Sequence, residues 1–270
     1  MLEKPYIKRD LLEKLIEWRD LPEFYAIKGP RQSGKTTILK MLQERLMIDY
    51  HVPSDAIRII TFEDEQILSD FKKDPVQYIE RTVGSLSPQE RHYFFIDEFQ
   101  YFKKGGRAIK LIYDTTKNIK CIITGSSSLE ITEELGAYMV GRLFSFHLLP
   151  LSFKEFLQIK EPEVLRSYSV VSKAVNQLLQ TGSYDAETTF FENKIARYFE
   201  EFVLYGGYPA VAKRLNDKEL RNATFREIVD NYLTKDIVKL LRITDTETFY
   251  TIVKLLAYEM RRSLTMSLVR

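Results

Sequence analysis

The chain has 270 residues, of which 44% are hydrophobic and 29% charged, and its 40 basic and 38 acidic side chains leave a formal net charge of +2. That balance excludes a disordered or fibrous chain and supplies no overall field favouring nucleic acid, although a local basic patch stays open. The first twenty residues lack the apolar stretch of a signal peptide, and no apolar run approaches the roughly 20 residues needed to cross a bilayer, so neither export nor membrane insertion is expected.

Leu11, Leu12, Leu15, Ile16 and Trp18 recur at helical spacing and predict an amphipathic helix ending near Asp20 and Pro22. Residues 24–27 form a short apolar run that leads into a glycine, and residues 37–47 then read as a helix through Ile38, Leu39, Leu42 and Leu46. Further apolar runs at 56–62, 93–96 and 120–124 are separated by segments of helical character such as 107–116, and residues 143–149 are a fifth strand candidate. Strands alternating with helices imply a parallel α/β sheet covered on both faces. Cys121 falls inside one of the strand runs, where a small buried hydrophobe is expected, and one cysteine suits a reducing cytoplasm.

Near Pro150 the composition changes. Strand-like runs nearly vanish, and helical periodicity takes over at 153–157, 164–179, 190–204 and 224–241, with breaks at 181–186 and 205–209. The expected domains are an α/β core over 1–150, a helical domain over 151–242, and the start of a C-terminal helical segment over 243–270.

Gly29, Pro30, Arg31, Gln32, Ser33, Gly34, Lys35 and Thr36 match G-x-x-x-x-G-K-[ST] between a strand and a helix, as phosphate binding requires. Glycines let backbone N–H groups turn toward phosphate oxygens, and the helix N-terminus adds partial positive charge. Lys35 supplies a full charge for the β- and γ-phosphates, and the Thr36 hydroxyl takes one magnesium position. Residues 93–98, YFFIDE, deliver two carboxylates at the C-terminal end of a strand, a Walker B pattern. Asp97 suits magnesium, and Glu98 suits the task of orienting and deprotonating the attacking water. After the next strand, Ser126 is the first choice for a hydroxyl beside the γ-phosphate; it serves equally as an N-cap for a helix beginning near Leu129.

Taken together, these residues resemble the AAA+ ATPases of the prokaryotic archaeal-ATPase type, related to signal-transduction ATPases with numerous domains. The resemblance is carried by GPRQSGKTT at 29–37, ending on Thr37, YFFIDEFQ at 93–100, ITGSSSL at 123–129, Gly141-Arg142, LPLSFKEF at 149–156, YGGYP at 205–209 and YLTKDI at 232–237. It implies a P-loop ATPase core of five strands in the order 5-1-4-3-2 over 1–150, a helical lid over 151–242 and the start of a helical or winged-helix segment over 243–270, with a water-polarising role for Glu98 and a sensor hydroxyl at the end of the fourth strand. It also sets Gly207 and Pro209 near the adenine, although these residues read equally as an ordinary helix break. The segment 7–9 is similar to the piece that frames the base in such proteins. Arg142 is either an arginine finger, in cis or in trans, or a surface arginine paired with a carboxylate.

The sequence therefore points to magnesium-dependent ATP hydrolysis coupled to lid movement and to a protein or DNA partner, with a homo-oligomer possible. The alternative is a nucleotide-gated binding module with little turnover, to which Arg261, Arg262 and Arg270 lend a hint of DNA contact. A small-molecule kinase ranks last, since adjacent Asp97 and Glu98 favour activated water. GTP is disfavoured because 116–119 lacks the base-reading aspartate and 234–236 has the wrong spacing. His51, His92 and His147 share no zinc-ligand spacing with one another or with Cys121.

Overall fold

The computed structural model describes residues 6–83, 91–116, 118–126, 135–183, 191–231 and 244–268, the last nine of these without their side chains. Ser127, Ser128, the helix expected from Leu129, the YLTKDI stretch, Lys117 and Arg270 lie outside the described residues, as do the side chains of Arg261 and Arg262.

Five strands form the sheet: β1 (Phe24–Lys28), β2 (Ile57–Thr61), β3 (His92–Asp97), β4 (Ile119–Gly125) and β5 (Leu143–His147). Their order is β2-β3-β4-β1-β5, the expected order read from the other edge, and every pairing is parallel. Parallel pairing sends all five C-terminal ends to one side of the sheet, where ligands bind in folds of this kind.

Period-two alternation along each strand divides the core in two. Phe24, Phe94, Ile96, Cys121 and Ile123 face α3 (Glu65–Lys73), α4 (Pro75–Val83) and α5 (Gly106–Thr115), packing with Phe71, Ile79, Ile109 and Ile112. Tyr25, Ile27, Tyr93, Phe95 and Ile122 face the opposite way, onto Leu12, Leu15 and Ile16 of α1 (Asp10–Glu17) and Ile38, Leu39, Leu42 and Leu46 of α2 (Lys35–Asp49). Burying apolar side chains on both faces at ~25 cal/mol per Å² is the main term holding the sheet to its helices.

Beyond β5 come α6 (Phe153–Leu157), α7 (Pro162–Thr181), α8 (Glu192–Tyr205) and α9 (Pro209–Ala212), with a core of their own around Leu151, Phe156, Leu157, Val164, Tyr198 and Ala212. Ser152 opens α6 with a reciprocal capping box to Glu155. The chain divides into two compact units, 1–221 and 222–270, so the compositional change near Pro150 falls inside the first unit. The second unit contains α11 (Thr246–Leu268) and most of α10 (Lys218–Asn231). No described helix is long and apolar enough to cross a membrane.

Candidate functional site

β1 runs straight into the glycine-rich turn. A Cβ on Gly29 would lie 2.2 Å from the Leu148 carbonyl oxygen, so only glycine fits where the chain leaves the sheet beside the end of β5. Gln32 and Gly34 both take positive φ, at 61° and 100°, which curls 30–34 into a loop before α2 starts at Lys35. The Lys35 ammonium lies across this loop and donates to the carbonyls of Gly29 at 3.1 Å and Pro30 at 3.0 Å. Arg31 is partly exposed in the turn, Ser33 is buried, and Thr36 and Thr37 are exposed on the first turn of α2. The Ser33 hydroxyl oxygen is buried without a hydrogen-bond partner.

β3 brings its carboxylates to the same end of the sheet. Thr36 Oγ1 donates to Asp97 Oδ2 at 2.6 Å, while Asp97 Oδ1 accepts from Thr124 Oγ1 and, at 3.2 Å, from the Glu98 N–H. Thr124 sits on neighbouring β4, so Asp97 is fixed from both sides. Glu98 follows with a left-handed backbone, φ 56° and ψ 47°, and its carboxylate accepts from Gln100 Nε2. The same Gln100 amide also donates to Ser126 Oγ at 2.9 Å, and its Oε1 accepts the Ser126 N–H at 3.2 Å.

Gly29 through Thr37, Asp97, Glu98 and Ser126 thus gather at the C-terminal ends of β1, β3 and β4. The 205–209 stretch joins them: α8 stops at Gly206 with φ 71°, the Gly207 carbonyl accepts the Leu151 N–H at 2.6 Å, and Pro209 Cγ comes within 3.9 Å of the Cβ position on Gly34. Pro209 opens the short helix α9, so the break expected at 205–209 is also the approach of this segment to the loop.

Arg142 is not brought there. It precedes β5, its carbonyl accepts the N–H of Phe24 at 2.9 Å, and those two residues mark the N-terminal ends of their strands. Its guanidinium pairs with Asp114 near the end of α5 at 3.4 Å and lies near the Tyr113 ring. Five-residue strands at ~3.3 Å per residue separate that edge from the glycine-rich loop, too far for a finger within the same chain.

Neither Gln100 nor Thr124 is a first choice from the sequence, although Thr124 lies inside the ITGSSSL stretch quoted for a site hydroxyl. Gln100 lay inside the quoted YFFIDEFQ stretch, and its place two residues after Glu98 was the available signal.

The oxygen set at the loop suits a hard divalent cation: a hydroxyl and a carboxylate already within hydrogen-bond distance, beside a lysine and a curled backbone. No cluster of three His, Cys, Asp or Glu side chains suited to a metal occurs among the described residues, so phosphate oxygens and water would complete such a shell.

A family model described as an AAA domain matches residues 22–157, which is half of the chain and spans every strand of the sheet. The chain belongs to the AAA domain family. A second model, for a domain of unknown function, follows the AAA domain and matches 196–270. Among curated proteins the chain is similar to an uncharacterized protein of Methanocaldococcus jannaschii, 28% identical over 86% of this chain and 45% of the relative. It is likewise similar to an uncharacterized protein of Haemophilus influenzae, 28% identical over 95% of this chain and 56% of the relative. The chain spans about half the length of these relatives. Among solved structures it is similar to a Walker-type ATPase of Pyrococcus abyssi, at TM-score 0.47 and 16% identity, covering 96% of this chain and 76% of that one. It is also similar to PCH-2 of C. elegans, at TM-score 0.44 and 15% identity, covering 83% of this chain and 65% of that one. The sheet order, the glycine-rich loop and the AAA domain match together give a P-loop NTPase fold.

Proposed function

We propose that this AAA domain binds ATP with magnesium in the loop 29–37 and hydrolyses it, with Glu98 as the base for the attacking water. The observation that carries the proposal is the convergence of Lys35, Thr36, Asp97, Glu98 and Ser126 at one end of the sheet, where Thr36 and Asp97 already meet at 2.6 Å. Lys35 and the backbone N–H groups of the loop would bind the β- and γ-phosphates. Thr36 and Asp97 would hold the cation, whose chemistry when bound is to neutralise charge on phosphate oxygens. Glu98 would take the proton of a water aligned with the γ-phosphate, within reach of the Ser126 hydroxyl. Gly207 and Pro209 are proposed to lie along the base side of the nucleotide, because Pro209 abuts the Gly34 turn.

The segment 151–242 is proposed to act as a lid whose position follows the nucleotide and passes the signal to a protein or DNA partner, in a cytoplasmic setting. Arg142, remote from its own loop, is left with a role in trans within a homo-oligomer or a structural role with Asp114.

The deciding experiment is magnesium-dependent phosphate release from ATP across protein concentrations, with and without duplex DNA, alongside calorimetry of ATP and ADP. Turnover with magnesium supports the hydrolase. Binding without turnover favours a nucleotide-gated module, and no binding of either nucleotide ends both readings. Specific activity that stays flat with concentration removes Arg142 from catalysis in trans.

A further inference from the structure

Arg9 precedes α1, is 7% exposed, and reaches three separate stretches of chain with one guanidinium. Its Nε donates to Glu155 Oε1 at 3.1 Å, its Nη1 to the Ser33 carbonyl at 2.8 Å, and its Nη2 to the Leu149 carbonyl at 2.5 Å. Glu155 is fully engaged as well: Oε1 accepts the Asp10 N–H at 2.8 Å, and Oε2 accepts the Ser152 N–H at 2.8 Å. A buried ion pair is a weak source of stability, because desolvation offsets most of the Coulomb attraction. What such a pair does well is fix geometry.

The geometry fixed here is that of one peptide plane in the glycine-rich loop. The Ser33 carbonyl and the Gly34 N–H belong to the same peptide group, and in a trans peptide they point in opposite directions. The described chain has no cis peptide bonds. With the carbonyl drawn onto Arg9, the Gly34 N–H faces away from the guanidinium. Arg9 also backs the turn sterically, with Nη1 3.5 Å from the Cβ position on Gly34.

We propose that Arg9 is a positioning residue of the phosphate cradle: by holding the Ser33 carbonyl it aims the Gly34 N–H at the polyphosphate, and through Glu155 it makes that aim depend on the capping box that opens α6. This rests on the nucleotide reading above. A lysine cannot replace the planar fork, because one ammonium on a flexible stem does not hold three acceptors in a plane. Loss of Arg9 therefore weakens ground-state and transition-state binding alike, since the β-phosphate side of the cradle does not change as the γ-phosphate departs.

The test compares the full chain with Arg9→Lys and Glu155→Gln. The glutamine variant keeps a side chain that serves a capping box, so it separates the ion pair from the cap. Calorimetry gives Kd for ATP and ADP, steady-state phosphate release gives KM and kcat, and melting without nucleotide reports folding. Arg9→Lys is expected to weaken both nucleotides roughly tenfold and to raise KM in step, leaving kcat within about twofold. Glu155→Gln is expected to shift Kd the same way by less. Folded Arg9→Lys with wild-type affinity overturns the proposal, and so does a fall in kcat at unchanged KM. If Arg9→Lys does not fold, wild-type affinity in Glu155→Gln overturns it. Failure of the wild type to bind either nucleotide counts instead against the cradle itself.

Discussion

The Thr36 hydroxyl donates to Asp97 Oδ2 at 2.6 Å, tying the first turn of α2 to the last residue of β3. If both oxygens serve one cation, Thr36→Ala should raise the magnesium concentration for half-maximal phosphate release on the order of tenfold, an effect of the size seen when metal sites lose a supporting group. A magnesium titration at fixed ATP reads this directly. A curve that overlays the wild type would take Thr36 out of the site.

Lys35 and Glu98 should separate binding from chemistry. Lys35→Ala is expected to abolish ATP binding, because it removes the ammonium that lies across the loop. Glu98→Gln is expected to keep ATP while losing about 10² to 10⁴ in kcat, the range for a positioned base. Equal turnover by Glu98→Gln and wild type would refute the base assignment.

Gln100 joins Glu98 to Ser126 through a single carboxamide. Gln100→Ala removes the donor to the carboxylate and should lower kcat roughly tenfold with little change in KM, as hydrogen bonds to charged groups are worth about 1.5–3 kcal/mol. Single-turnover measurements at saturating ATP isolate this step. A raised KM with kcat intact would mean that Gln100 serves binding.

Lys120 at the start of β4 supplies a pH prediction. Burial, aided by Arg91, pushes its ammonium down to about 7, although it donates to the Leu21 and Glu23 carbonyls and lies over the Tyr25 ring. Between pH 7 and about 10 the unfolded lysine keeps a proton that the folded one releases, so stability should rise with pH across that window. Below pH 7 both states are protonated and the penalty is complete. Urea midpoints from pH 6.5 to 9 should climb in the wild type and climb less in Lys120→Met; parallel curves would exclude Lys120 as the source.

Much of the sheet is legible in the sequence, for a physical reason. A strand buried on both faces tends to be a short, mostly apolar run, and residues 93–96 and 120–124, the latter apolar at Cys121, Ile122 and Ile123, duly fall inside His92–Asp97 and Ile119–Gly125. The loop 29–36 is legible because its two glycines, lysine and threonine stand at the fixed spacing G-x-x-x-x-G-K-[ST]. Contacts set by the tertiary fold are not. Ser126 meets Gln100 across 26 residues, Thr124 meets Asp97 across 27, and Arg9 meets Glu155 across 146, and no local pattern announces such meetings. Arg142 shows the reverse case: the sequence leaves it open as a finger in cis, but parallel β5 begins at the far end of the sheet.

The left-handed backbone at Glu98 sets two kinds of selection against each other. A non-glycine residue in that region gives up roughly 1–2 kcal/mol relative to glycine. In a library screened only for heat resistance, glycine and asparagine should accumulate at position 98. Screened for turnover, the same library should restore glutamate. Opposed enrichment at one codon would register, in a population of variants, a conformational strain that is kept because the carboxylate is needed.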